Sequence, residues 1–273
     1  MNIARTDCTE TQGAGIDREA ALRHLARRAV GFSGADIERL VREARQRARR
    51  ERRPLTYADL DTLLAATRPA MSPEKRRRVA VHEAGHLLLR VLLGVGEVTL
   101  VTIEAVGGDA FTESIATDGI IETSQACEDY LAVIMGGRAA EQAVYGSALA
   151  GSGGSSQSDL AQATRLATVM ETSLGFGRRH PLLYRDPDHS QTLLRQDARL
   201  AKRVHARIEN AERRARRLVR QNRDRLEIVV DELLKHGTLE GKELKSLLQN
   251  LPSATMVPSK DAPVSDGDSH GSA

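Results

Sequence analysis

The chain has 273 residues, enough to bury a hydrophobic core without disulfide or metal staples. Two cysteines exclude a disulfide framework and indicate a reducing compartment, and 3% aromatic residues without tryptophan favour helices over a β-sandwich or barrel. No apolar run reaches the roughly 18–20 residues that a membrane span needs, and the N-terminus lacks the apolar core of a signal peptide. We therefore expect a cytoplasmic protein with no membrane span of its own.

Positive charge is concentrated in two arginine-rich stretches, 39–53 and 203–225, although the net charge is only +3. Both stretches keep apolar residues at helical spacing and alternate arginine with glutamate, which is typical of solvated helix faces with i,i+4 ion pairs. The alternative is nucleic-acid binding, which a salt-dependent shift of DNA would test. No aromatic side chains for base stacking lie among the arginines, so we expect no nucleic-acid partner.

The first 70 residues predict a flexible leader over 1–15 and a small helical unit over 16–70. An apolar face runs along 22–29, and Ser33 and Thr56 each precede an aspartate by three residues, as in a capping box. The N-terminal part of the chain is therefore predicted to be all helical.

A long helix and a small β-element follow. Ser72 is the predicted cap of a helix over 73–93, with proline in its first turn. Alternating residues at 98–103 and 111–115 predict two strands, with Gly107-Gly108 as the turn between them.

The remaining chain predicts helices again, and the fold class is therefore mainly α with a small β-element (α+β). The predicted elements are a helix over 124–145, a glycine- and serine-rich loop over 151–156, a helix from Ser158 to about Ser173, helices over 191–249 with a restart at Thr238, and a disordered tail over 252–273.

The pattern that carries chemistry is His82-Glu83-Ala-Gly-His86, an H-E-x-x-H motif inside the long predicted helix. Positions i and i+4 share one helix face, so His82 and His86 can bind one zinc ion while Glu83 lies beside it. Such a site holds water next to the metal, and the glutamate accepts a proton as that water attacks a peptide carbonyl. The motif predicts a zinc hydrolase.

The third ligand must come from elsewhere in the chain. A metzincin would need glycine at position 89 and histidine at position 92, and both are leucine. Asp159 opens a helix directly after the glycine-rich loop, and Glu141 lies among small residues that permit close helix packing. Either carboxylate can ligate the metal while the other orients a histidine.

Three separated segments carry a family resemblance. His82-Glu-Ala-Gly-His86, the GGRAAE segment at 136–141 and the SDLAQAT segment at 158–164, in this order and spacing, resemble the peptidase domain of FtsH-type ATP-dependent zinc metalloproteases. The resemblance spans roughly residues 72–250. It implies a zincin-like peptidase domain over 71–251 in which Asp159 is the third Zn2+ ligand and Glu141 supports a ligating histidine.

The resemblance also implies partners. Members of the FtsH family act as hexameric rings on unfolded or flexible protein substrates. The substrate lies along an edge strand, which in this chain would be the segment 110–115. For this chain it implies a homo-hexamer or a mixed ring with an AAA protease, and any membrane association would come through such a partner. The rival interpretation is a non-catalytic or regulatory subunit that assembles with a full-length AAA protease.

The helical unit at 16–70 is similar to the end of an AAA lid, because the GFSGADI segment at 31–37 is followed by an arginine-rich helix. No G-x-x-x-x-G-K-[ST] phosphate loop occurs in the sequence, and Gly241-Lys242 lacks the glycine-rich lead-in. The ATPase core and membrane helices of the family are not found in these 273 residues. We expect that this chain alone neither binds nor hydrolyses ATP.

Overall fold

The computed structural model describes residues 21–22, 25–26, 28–29, 31–67, 71–104, 111–115, 123–186 and 190–252. The predicted leader, the Gly107-Gly108 turn and residues 253–273 of the predicted tail lie outside this part of the chain. The described part is mainly helical with one small antiparallel sheet, which confirms the predicted fold class. Its elements are α1 (Gly34–Arg50), α2 (Tyr57–Ala66), α3 (Pro73–Leu93), β1 (Glu97–Thr102), β2 (Phe111–Ile115), α4 (Ser124–Ile134), α5 (Gly136–Tyr145), a 3-10 turn (Ala150–Ser152), α6 (Asp159–Thr172), α7 (Ser190–Gln196), α8 (Ala198–Gln221), α9 (Arg223–His236), β3 (Thr238–Glu240) and α10 (Gly241–Asn250).

The N-terminal helices begin at the predicted caps. Ser33 and Asp36 form a reciprocal capping box at the start of α1, and at the start of α2 the Asp59 carboxylate accepts from the Thr56 backbone N–H and hydroxyl. Arg53 also binds the Asp59 carboxylate with both terminal nitrogens, which joins the loop before α2 to its first turn. α1 and α2 pack against each other.

The helix α3 has the predicted bounds because both of its ends are locally encoded. The Ser72 hydroxyl accepts from the Lys75 N–H at 3.2 Å, and proline follows in the first turn. Gly94 ends the helix in the left-handed conformation at φ 65°. α3 packs against α4, α5 and α9, so it lies at the centre of the helices that follow residue 71.

The predicted helix over 124–145 is two helices, α4 and α5, which meet at Met135. The break brings the backbone of Gly136 against Gly85 of α3, where a Cβ atom on Gly85 would lie 2.4 Å from the Gly136 carbonyl oxygen. Only glycine permits backbones to approach this closely. The glycine pair therefore sets the distance between α3 and α5.

Among the described residues, the sheet has three strands in the order β2-β1-β3, one more than the sequence predicts. Thr238–Glu240 was predicted to restart a helix, but it pairs with β1 through Val101 opposite Leu239, and the last helix begins at Gly241. The prediction was wrong because a three-residue strand depends on a partner more than 130 residues away.

The arginine-rich helix α8 uses several of its charges inside the fold. Glu171 of α6 is buried and accepts from the Nε atoms of Arg203 and Arg207 at 2.8 and 2.7 Å. Arg207 also pairs with Glu128, and Arg214 pairs with Asp129 on α4. These arginines hold α4, α6 and α8 together.

No helix in the described ranges combines the length and apolar character needed to cross a membrane.

Candidate active site

Three side chains from two helices converge at the predicted zinc position. His82 and His86 lie one turn apart on α3, and Asp159 is the first residue of α6. The Nε2 atoms of the two histidines are 3.1 Å apart. Oδ2 of Asp159 lies 3.2 Å from His82 Nε2, and Oδ1 of Asp159 lies 3.6 Å from His86 Nε2. Within the described residues, this is the one group of three or more such side chains that can hold a metal ion.

The helix cap and the loop before Asp159 fix the position of this residue. The Ser158 hydroxyl accepts from the Ala161 N–H and starts α6 directly at Asp159. Gln162 donates to the Gln157 carbonyl at 2.8 Å, and Arg165 donates to the Ser156 carbonyl at 2.6 Å. Side chains of α6 therefore hold the end of the loop that delivers the carboxylate.

The outer nitrogens of both histidines face groups that only accept hydrogen bonds. His82 Nδ1 lies 2.7 Å from a Glu141 carboxylate oxygen, and His86 Nδ1 lies 2.9 Å from the Val133 carbonyl oxygen. Each Nδ1 is therefore the nitrogen that carries a hydrogen, which makes Nε2 the nitrogen that can bind a metal ion when the ring is neutral. The two Nε2 atoms lie beside the Asp159 carboxylate.

The structure separates the two carboxylates that the residue pattern left open. Asp159 faces the inner Nε2 atoms, whereas Glu141 lies on the outer side of His82 and is 2% exposed. The second oxygen of Glu141 accepts from the Leu149 backbone N–H at 2.6 Å. The assignment of Asp159 as ligand and Glu141 as its supporting carboxylate stays a prediction.

The electrostatics of the cluster favour a positive charge at its centre. Burial lowers the pKa of His82, but Asp159 and Glu141 outweigh it and raise that pKa to about 10. Burial raises the pKa of Asp159, but His82 and His86 outweigh it and hold that pKa well below its usual range. Without a metal ion, this arrangement draws a proton onto a buried histidine.

The donor set also fits a zinc ion. Oδ2 of Asp159 is buried and receives no well-aligned hydrogen bond from the described residues. The 3.1–3.6 Å separations of the three ligand atoms compare with an edge of about 3.4 Å for a tetrahedron around zinc at about 2.1 Å. Two imidazole nitrogens and one carboxylate oxygen are ligands that zinc prefers.

Glu83 lies next to the cluster and is 4% exposed. It lines, with both histidines and Asp159, a cavity of about 370 Å³. Other residues of the cavity wall, among them Arg90 and Tyr130, were not predicted from the sequence. Arg90 had a usable signal, because it follows His86 by four residues on the same helix face.

Gly137 is a further site residue that the sequence indicated only as part of a small-residue segment. A Cβ atom at this position would lie 2.5 Å from His82 Nε2. The absence of a side chain therefore leaves the room that the His82 ring occupies.

A helix that presents two histidines and a glutamate, completed by a carboxylate from a second helix, is the arrangement of a zinc metallopeptidase. Comparison with known proteins gives the particular family. Peptidase family M41 matches residues 69–247, and the AAA+ lid domain matches residues 19–62. The chain belongs to peptidase family M41.

The curated relatives are named as ATP-dependent zinc metalloproteases. FtsH 2 of Symbiobacterium thermophilum is 34% identical over 254 residues, which are 87% of this chain and 42% of the relative. FtsH 2 of Sphaerobacter thermophilus is 32% identical over 96% of this chain and 43% of the relative, and FtsH of Kosmotoga olearia is 31% identical over 87% and 40%. The chain thus spans about two fifths of the length of these relatives, and the predicted resemblance is confirmed.

Proposed function

We propose that this chain is a zinc metalloendopeptidase that hydrolyses peptide bonds of unfolded or flexible proteins. The observation that carries the proposal is the convergence of three ligand atoms, His82 Nε2, His86 Nε2 and an Asp159 oxygen, at separations of 3.1–3.6 Å. Buried acceptors this close together need a positive charge among them, either a proton or a metal ion. The relatives are named as zinc metalloproteases, which favours zinc as that cation.

Each residue has one task in the proposed mechanism. His82, His86 and Asp159 hold the zinc ion, which, when bound, supplies a Lewis acid that activates water near neutral pH. Glu83 accepts the proton of the attacking water on its carboxylate and passes it to the leaving amine. Glu141 keeps the Nδ1–H of His82 oriented outwards, so that Nε2 faces the metal.

The sheet supports the proposal for substrate binding. β2 is an outer strand in the order β2-β1-β3, so among the described residues one of its edges has no paired strand. An extended peptide can add to such an edge by main-chain hydrogen bonds. We place the substrate there, which corresponds to the predicted segment 110–115.

The larger assembly follows from the same proposal. We place an AAA-lid-like helical domain at 16–70 and the peptidase domain at 71–251, in agreement with the two matched families. Peptidase domains assemble as a homo-hexamer or in a mixed ring with an AAA protease. The protein acts in the cytoplasm or at a membrane to which such a partner holds it.

Metal analysis and a casein cleavage assay on the purified 273-residue chain test the proposal. We expect one zinc ion per chain and cleavage that a chelator abolishes and added zinc restores. Added ATP should not change the rate, because the sequence contains no phosphate loop. Bound zinc without cleavage would favour the regulatory-subunit interpretation, and absence of zinc binding would refute the proposed site.

A further inference from the structure

One buried carboxylate, that of Glu141, accepts hydrogen bonds from two separate parts of the site. Its Oε1 lies 2.7 Å from Nδ1 of His82, and its Oε2 accepts from the Leu149 backbone N–H at 2.6 Å. The side chain is 3% exposed, so water competes little for either bond. An ionised carboxylate can serve both donors because it has only acceptors.

The second donor belongs to the segment that leads to Asp159. Leu149 directly precedes the 3-10 turn Ala150–Ser152, and we call residues 146–158 the ligand loop because Asp159 follows them at the start of α6. Ser152 of this loop is buried. The far end of the loop is held by Gln162 and Arg165 of α6, whereas Leu149 is held by Glu141.

We propose that Glu141 is a positioning residue that ties the ligand loop to His82. One carboxylate then fixes both the orientation of the His82 ring and the position of the backbone that leads to Asp159. This inference rests on the proposed zinc site, and it assigns to the Leu149 N–H a role in metal affinity. Its physical basis is preorganisation, because ligand atoms held in place before binding lose less freedom when the metal arrives.

The position requires a glutamate rather than its amide. A glutamine has one acceptor oxygen and an NH2 group that only donates, so it can serve either His82 or Leu149 but presents N–H to the other donor. Glu141→Gln is therefore expected to keep one of the two bonds and to lose the other.

Leu149→Pro tests the tie directly, because proline has no N–H. The backbone φ of Leu149 is −75°, which proline adopts without strain, and the leucine side chain is 41% exposed. Leu149→Ala is the matched control, since it removes the same side chain but keeps the donor. With Zn2+ alone, in competition with a chelator, we expect Leu149→Pro to bind about tenfold more weakly than wild type. Leu149→Ala should stay within about twofold of wild type.

Hydrogen exchange of the metal-free protein gives a second measurement that does not depend on zinc. We expect faster exchange of amides in the ligand loop for Leu149→Pro and for Glu141→Ala, which removes both acceptors, but not for Leu149→Ala. In the Glu141→Ala background, Leu149→Pro should weaken zinc binding by much less than tenfold, because the bond from the Leu149 N–H to Glu141 is already absent.

Equal zinc affinity and equal exchange in Leu149→Pro and Leu149→Ala would overturn the tie. A full additional tenfold loss in the Glu141→Ala background would also overturn it, because the Leu149 effect would then not act through Glu141. If Leu149→Pro does not fold, Glu141→Ala decides the question through loop exchange. Failure of the wild type to bind zinc would refute the proposed function, whereas faster loop exchange in the variants would still support the tie.

Discussion

Gly137→Ala should damage the metal site although it adds a single methyl group. The new Cβ atom would lie 2.5 Å from Nε2 and 2.6 Å from Cδ2 and Cε1 of His82. Ordinary contact needs about 3.5 Å, so the ring must move by about 1 Å. The ring cannot move freely, because its Nδ1 is bound to Glu141 at 2.7 Å.

The magnitude follows from this displacement. In enzymes, a misplacement of a site group by about 1 Å lowers the rate about 100-fold, which corresponds to about 2.8 kcal/mol at 1.4 kcal/mol per tenfold. We apply the same loss to a misplaced metal ligand. We therefore expect zinc affinity to fall about 100-fold. The free energy of unfolding should change less, because alanine is favoured over glycine in a helix by about 0.5–1 kcal/mol.

Competition of the purified variant with a chelator for zinc measures this effect, with thermal unfolding as a check on folding. Gly151→Ala is the matched control, because Gly151 also lines the cavity but a Cβ atom there meets nothing within 4 Å. Its zinc affinity should stay within about twofold of wild type. A Gly137→Ala variant that binds zinc as tightly as Gly151→Ala would refute the reasoning.

Three further outcomes test other parts of the site. Glu83→Gln should retain zinc but lower the rate of casein cleavage by about 10²–10⁴-fold, since only the proton acceptor is lost, and near-normal turnover would remove Glu83 from the mechanism. Asp159→Ala should lower the zinc content measured by metal analysis, whereas Glu141→Ala should weaken zinc binding by only about 10–100-fold; equal loading of Asp159→Ala and wild type would place the third ligand elsewhere. Gly85→Ala should destabilise the fold by about 1–3 kcal/mol, because its Cβ would lie 2.4 Å from the Gly136 carbonyl oxygen, and an unchanged melting temperature would contradict this close contact.

Features encoded within a few residues were predictable. The bounds of α3 follow from Ser72, Pro73 and Gly94, and these residues act on the helix ends that they touch. The motif of His82, Glu83 and His86 places its side chains by helix geometry alone. Family membership was predictable for the same reason, because its motifs are short and contiguous.

Features that depend on distant partners were not predictable. The strand β3 forms because Leu239 meets Val101, and the restart at Thr238 was assigned to a helix on local grounds. The break between α4 and α5 at Met135 likewise depends on a distant contact, since Gly136 packs against Gly85 of α3. A short segment takes the structure that its tertiary contacts select, and local preference is then a weak guide.

The sequence by itself determined where most helical segments lie, the ends of α3 and the set of candidate ligands, because caps, periodicity and motif spacing act within one or two helical turns. Tertiary structure decided which carboxylate faces the metal position. Asp159 reaches the inner nitrogens at 3.2 and 3.6 Å, whereas Glu141 reaches the outer nitrogen of His82 at 2.7 Å. That difference arises from how α5 and α6 pack around α3, since both carboxylates are far from the histidines in sequence.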